Sequence, residues 1–369
     1  MNILLAPDSF KGSLTALEAA TVMASALTQS VPNASIRTLP LSDGGEGALE
    51  VWEAMGAGKK VAVQTEDAQG RPLTAHYFLF SDGNAWVELS QASGLVLLNP
   101  ELRDPKKTSS YGTGVLIKDA IFRGAKKITV GLGGSATNDG GSGLLQALGF
   151  LLEDSMGNPV KACGENLQNI TRLQAPKNFP KNLKFEVACD VNNPLIGPNG
   201  ATHIYGPQKG AAPADLLLLE RGMEQWAKVL ADFAGKPIAE TPGTGAAGGS
   251  AAGLMAGLQA ELRPGFDLIA EAIKLDEALD WADAVFTGEG MLDDQSLSGK
   301  ATVALCQRAK ARGCATRVFA GRVQGNVDAF RREGVDHAVQ IGPSGVSVEE
   351  SMARASEFLN DAVRRAMTK

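Results

Sequence analysis

Short apolar runs, loop-forming clusters and helical patterns follow one another in a fixed rhythm at both ends of the chain. Ile3, Leu4, Leu5 and Ala6 form an apolar run that stops at Pro7-Asp8-Ser9-Phe10-Lys11-Gly12-Ser13. Helical spacing follows, with Leu17, Ala20, Ala24 and Leu27 on one face and Thr15 with Glu18 predicting a capping box. The plan repeats: residues 36–41 read as a strand, Ser42-Asp43-Gly44-Gly45-Glu46-Gly47 as a loop, and residues 48–55 as a helix. Near the other end, strands are expected over 284–287, 317–320 and 338–341, alternating with helices over 301–311, 327–333 and 348–367. Successive strand-loop-helix units predict a parallel sheet with its ligand loops at the strand C-termini.

The middle reads differently. Residues 60–92 are β-rich, with turns at Gln69-Gly70-Arg71-Pro72 and Asp82-Gly83-Asn84. Helices are expected over 114–123, 142–149 and 214–233, and strands over 127–132 and 184–189. The fold class expected is therefore α/β, as two domains: a Rossmann- or flavodoxin-like doubly wound parallel sheet with a second α/β domain inserted into it. The first takes residues 1–62 and 284–369, the second residues 63–283. A length of 369 residues fits this division, because single cores rarely grow further.

Composition narrows the partners. The net charge is -6 and no long basic run occurs, so nucleic acid is not an expected partner. No stretch of uncharged apolar residues is long enough to span a membrane, and Met1 to Pro7 lacks a basic leader. Four scattered cysteines without a Cys-x-x-Cys pair fit reduced thiols, so a cytoplasmic location is expected. Glycine is the excess that matters: 43 residues, well above an average of roughly 7%. Glycines clustered with Ser, Thr, Asn and Asp let a backbone approach a ligand and aim its amides at an anion.

Five strand-end loops carry candidate chemistry. Asp8, Ser9, Lys11 and Ser13 stand in the first. A lysine ahead of a helix opposes the helix dipole and calls for a negative partner: a substrate carboxylate, a phosphate or Asp8 itself. Asp43 and Glu46 follow the second strand. Gly133-Gly134-Ser135-Ala136-Thr137-Asn138-Asp139-Gly140-Gly141 reads as an anion cradle ahead of a helix, or more plainly as a tight turn. Asp190 follows an apolar strand, where it serves chemistry or makes an Asx turn. Thr287-Gly288-Glu289-Gly290 leads to Asp293, Asp294 and Lys300, and Lys209 lies in a basic loop at 205–210. Gly243 to Gly248 matches the spacing of a dinucleotide fingerprint, but residues 236–242 are no convincing strand, so only contact of Gly248 with phosphate is expected there. No P-loop occurs. The three histidines, His76, His203 and His337, have no ligand-like spacing.

Taken in order, these loops resemble the type I glycerate kinases along nearly the whole chain. The resemblance adds Tyr111-Gly112-Thr113-Gly114, Ala188-Cys189-Asp190-Val191 and Gly245-Ala246-Ala247-Gly248-Gly249 to the motifs above. It implies phosphorylation of D-glycerate, dependent on ATP and Mg2+, with 2-phosphoglycerate as product, in a cleft between the two domains. Met291 and the turn Ala320-Gly321-Arg322-Val323 depart from the family pattern, which bears on the nucleotide contacts.

Phosphoryl transfer requires cations to hold spreading charge and a carboxylate to take the hydroxyl proton. Asp190 is the first choice of base, with Asp43 second and Lys11 as the catalytic cation. Asp8, Ser9, Lys11, Glu46 and Lys209 are expected at the substrate. Gly133, Gly134, Ser135, Thr137, Asn138, Asp139 and Gly248 are expected at the nucleotide, and Asp190, Glu289 and Asp293 at the metal. Transfer to the 3-hydroxyl is the near alternative. A nicotinamide-dependent hydroxy-acid dehydrogenase and a non-enzymatic sugar-acid binding module are the remote ones. Assembly as a homodimer is allowed.

Overall fold

The computed structural model describes residues 1–42, 48–180, 182–294, 296–298, 301–343 and 345–367. Its chain divides into two compact units, Met1–Asp43 with Phe266–Lys369, and Gly44–Gly265. In chain order the strands are β1 (Asn2–Leu5) and β2 (Ser35–Thr38); then β3 (Gly58–Glu66), β4 (Pro72–Phe80), β5 (Ala85–Glu88), β6 (Lys127–Gly131), β7 (Leu151–Glu153), β8 (Arg172–Gln174), β9 (Lys184–Ala188) and β10 (Glu261–Arg263); and finally β11 (Ala284–Leu292), β12 (Ala315–Val323) and β13 (His337–Gln340).

The discontinuous unit is built on a parallel sheet ordered β13-β12-β11-β1-β2 among the described residues. Counted within the unit this is the flavodoxin-like order, whose connections diverge between β1 and β11 and leave a crevice at their C-terminal ends. Ile3, Leu5, Phe286 and Phe319 carry its core against helices Ala16–Ser30 and Ala355–Met367. Thr15 and Glu18 form the expected capping box. The buried stripe of that first helix is Ala16, Ala19, Ala20, Met23, Ala26 and Leu27, whereas Leu17 is exposed. The small residues set the stripe because they let the helix lie close to the sheet. The C-terminal helix expected over 348–367 breaks at Arg354 into Val348–Ala353 and Ala355–Met367.

The continuous unit has a mixed sheet ordered β10-β9-β6-β5-β4-β3, parallel from β10 to β5 and antiparallel beyond. β7 and β8 form a separate antiparallel pair. The sequence placed a joint near residue 62, which falls inside β3. Helix Ala48–Ala54 looked like a continuation of the first sheet, yet the amides of Ala48 and Leu49 donate to Glu88 Oε1 at the end of β5, at 2.8 and 3.2 Å. The other joint, read near 283, falls at 265/266, because the short helices Gly265–Ala272 and Leu275–Trp281 escaped the pattern. Among the described residues no helix is long and apolar enough to cross a membrane.

Candidate active site

In the discontinuous unit the chain leaves β1 still paired to β11. Ala6 N–H donates to Phe286 O and Asp8 N–H to Gly288 O, at 2.8 and 2.9 Å. The Thr287 hydroxyl adds a bond to Ala6 O at 2.7 Å. Asp8 Oδ1 accepts the Ser9 amide, and the chain then turns tightly, with Ser13 N–H and Oγ–H both donating to Phe10 O. Gly12 takes φ +80 at the bend, a left-handed conformation that favours glycine. Phe10 is buried beneath the turn, which leaves Lys11 exposed at its tip.

Asp8, Ser9, Lys11 and Glu289 line a single cavity of about 440 Å³. Glu289 is buried and belongs to β11 itself, in register with Ala320 of β12. The segment read as a strand-end loop at 287–290 is thus strand. Gly288 is tolerated there because Phe319 O approaches it closely. Asp293, just past β11, accepts from the amide and hydroxyl of Ser296 at 3.2 and 3.4 Å. Asp43, Glu46 and Lys300 lie outside the described residues.

In the continuous unit the loop after β6 turns inward. Gly133 and Gly134 reach the surface, whereas residues 135–141 are buried. Asp139 is fully enclosed and its carboxylate accepts four bonds: Ser110 N–H at 2.7 Å, Ser110 Oγ–H at 2.8 Å, Gly143 N–H at 3.1 Å and Gly141 N–H at 3.2 Å. Burial raises its pKa and the four donors oppose that rise. Lys209, 2% exposed, donates from Nζ to Ser135 Oγ and Thr137 O, both at 2.7 Å. Burial pushes its pKa down to about 7, against the pull of Asp139. Asn138 Nδ2 donates to Thr202 Oγ1 at 3.2 Å, and Trp226 Nε1 to Gly140 O at 2.9 Å.

Gly248 closes the packing. It sits at φ +63 among the left-handed residues that open helix Ala246–Leu258, and its carbonyl accepts from Gly140 N–H at 3.0 Å. A Cβ on Gly248 would strike Thr137 O. No strand precedes this glycine run, so it carries no dinucleotide fingerprint. The structure therefore joins Ser135, Thr137, Asp139, Lys209 and Gly248 into one buried knot, and of the expected nucleotide residues only Gly133 and Gly134 face outward.

Asp190 stands exposed just beyond β9, and its Oδ1 accepts the Gly265 amide at 2.7 Å, which fixes one oxygen at the C-terminal edge of the parallel strands. Among the described residues no three His, Cys, Asp or Glu side chains converge on a preformed metal cage. Mg2+ is ordinarily held by one or two carboxylates together with substrate phosphates, and the two carboxylates that line the cavity, Asp8 and Glu289, are of that type.

Two groups were missed in the sequence. Glu88 is buried at the end of β5, with its pKa raised to about 7 chiefly by burial and then by Glu50. It carried the signal used elsewhere, a carboxylate ending an apolar strand. Ser110, the partner of Asp139, carried no signal of its own.

The model of the glycerate kinase family matches residues 3–369. A glycerate kinase of Halalkalibacterium halodurans is 40% identical over 98% of this chain and 96% of its own. The glycerate 2-kinase of Escherichia coli is 37% identical over 99% and 96%. A crystal structure from Salmonella typhimurium, designated glycerate kinase 2, superposes with a TM-score of 0.89 at 37% identity, covering 100% of this chain and 97% of that one. With full-length agreement of sequence and fold, the chain belongs to the glycerate kinase family and is a kinase enzyme.

Proposed function

We propose that this kinase transfers the γ-phosphoryl group of ATP, with Mg2+, to the 2-hydroxyl of D-glycerate, giving 2-phosphoglycerate and ADP. The observation that carries the reading is the clustering of Lys11, Ser9, Asp8 and Glu289 around one cavity at the C-terminal edge of a parallel sheet. The name of the Escherichia coli relative, glycerate 2-kinase, favours the 2-hydroxyl over the 3-hydroxyl.

Bound nucleotide and Mg2+ supply the transferable phosphoryl group and much of the charge neutralisation. Lys11 holds the negative charge that spreads over the phosphoryl oxygens as the new O–P bond forms and the bond to the leaving diphosphate breaks. The Ser9 hydroxyl donates to the same anion or to the glycerate carboxylate. Asp190, oriented by the bond from Gly265 N–H, is the base that accepts the proton of the attacking hydroxyl. Glu289 and Asp8 would hold the cation, with Asp190 and Asp293 as the other sequence-based ligands. Asp43 and Glu46 retain their sequence-based roles as alternative base and substrate ligand, and the amides of Gly133 and Gly134 remain available to an anion.

The test is direct. The protein is incubated with ATP, Mg2+ and each enantiomer of glycerate, and the product is identified by phosphorus and proton NMR. D-Glycerate is expected to yield 2-phosphoglycerate with equimolar ADP. Exclusive formation of the 3-phosphate, or no ADP, would overturn the assignment.

A further inference from the structure

The cavity of the discontinuous unit is too large and too varied for glycerate alone. Its lining comes from the ends of four adjacent strands, β1, β11, β12 and β13. That is three inter-strand spacings, about 14 Å at ~4.8 Å each. A three-carbon acid reaches across roughly one such spacing. A volume of about 440 Å³ also lies in the range, roughly 300–1,000 Å³, of sites that enclose drug-sized ligands.

The chemistry changes along this line. The β1 and β11 side supplies Asp8, Ser9, Lys11 and Glu289, and the segment after β13 supplies Ile341, Val346, Val348 and Met352. Between them the lining includes three glycines. Gly290 of β11, Gly321 of β12 and Gly342 after β13 all line the cavity, and a Cβ on Gly321 would lie 2.6 Å from Gly290 O. Glycines at neighbouring strand ends allow a flat ring to lie on the backbone. Arg322 at the end of β12 adds a second cation to Lys11.

Resting on the ATP-dependent reading above, we infer that this cavity is the nucleoside site of the phosphoryl donor. The base lies over Gly321 and Gly342 against the apolar residues after β13, and the phosphates run toward Lys11. The buried knot around Asp139 and Lys209 then has no contact with the base.

Photolabelling of the full-length wild-type protein with 8-azido-ADP, followed by peptide mapping, tests the placement without any substitution. Label within residues 340–352 is expected, suppressed by excess ADP. Label within residues 133–141 or 245–249 overturns the inference. Two variants measure the same site by calorimetric titration with ADP. Gly342→Leu covers the floor at a position where a Cβ meets only ordinary contacts, the nearest being Phe358 at 3.4 Å. Val348→Trp fills the cavity from an exposed position. Each is expected to raise the Kd for ADP by about tenfold or more, the effect of overfilling a packed site. Affinity within about twofold of wild type in both variants overturns the inference, and a variant that fails to fold leaves the decision to the labelling. Wild-type protein that phosphorylates glycerate from ATP yet labels in the continuous unit sinks this inference alone. Protein that transfers nothing from ATP sinks the reading beneath it.

Discussion

Two loops that follow parallel strands, each carrying small and acidic residues, have opposite physical uses in the two units. The turn at 8–13 is anchored by buried Phe10 and presents Asp8, Ser9 and Lys11 to a cavity. The loop at 133–141 is richer in glycine, yet residues 135–140 are buried: Ser135 Oγ and Thr137 O accept from Lys209, Asp139 from Ser110, and Gly140 O from Trp226. Around the cavity that the first loop lines, Gly290, Gly321 and Gly342 leave room beside the backbone. In the second region glycines let one backbone press on another: Gly248 lies on Thr137 O, and Gly140 lies on the Trp226 ring. A glycine cluster thus reports a close approach without saying what approaches, and a charged side chain left at the surface is the better sign of a ligand.

The comparison breaks most readily at Lys11. If this residue holds the transferred phosphoryl group, Lys11→Ala should lower kcat by about 10³-fold, in line with removal of a cation from a phosphoryl-transfer site. Its urea midpoint should stay near that of the wild type, because the side chain is exposed. Steady-state kinetics showing a loss below about tenfold would remove Lys11 from the reaction. Asp190→Asn is the companion variant, expected to lose at least about a hundredfold in kcat.

Gly248→Ala tests the opposite region and should act on stability. A non-glycine residue in the left-handed region costs ~1–2 kcal/mol, and forcing a methyl onto Thr137 O adds ~1–3 kcal/mol. Urea unfolding should therefore show a loss of about 3 kcal/mol. An alanine variant as stable as the wild type would mean that the knot is loosely packed, and the contrast between the two loops would fail.

Much of this was legible in the sequence because period and punctuation coincide. The helix Ala301–Ala311 and the β-rich stretch beginning at β3 follow directly from apolar spacing and turn residues. The segments at 8–13 and 133–141 do follow strands β1 and β6, as the apolar runs before them predict. Their orientation was hidden, since the partner that turns Asp139 inward, Ser110, is far away in the chain and chemically unremarked. The course of β11 through Gly288 and Gly290 was hidden too. Glycine reads as a loop in sequence, whereas here it accommodates Phe319 O and the neighbouring β1 turn.

Lys209→Met sharpens the comparison through pH. The folded pKa of Lys209 lies near 7, below its ordinary value of 10.5, so between those values the unfolded chain carries a proton that the folded protein lacks. Stability contributed by this group therefore rises with pH across that window, by at most about 1.4 kcal/mol per pH unit. Below about pH 7 the burial penalty is present in full. Methionine keeps the apolar stem and abolishes the titration, so the slope between about pH 7 and about pH 9 should flatten in urea unfolding series. Equal slopes would show that Asp139 keeps the lysine charged throughout.

The smallest expected effect concerns Glu88, which belongs to the same inward-turned unit but holds the amides of Ala48 and Leu49, directly after the segment containing Asp43 and Glu46. Its folded pKa is raised from 4.5 to about 7, so the folded protein binds the extra proton between those values. Stability from this group is complete below 4.5 and declines as pH rises toward 7. Glu88→Gln retains an acceptor for the two amides and cannot ionise. The variant should match the wild type near pH 5 and gain on it by about 1 kcal/mol at neutral pH, less than full linkage because charge-assisted amide bonds are given up. A Gln variant that falls behind the wild type as pH rises would mean that the ionised carboxylate is held better than the neutral one. Glu88 would then be an anion socket built by the start of helix Ala48–Ala54, and the continuous unit would have a charged strand end as open to chemistry as that of its counterpart.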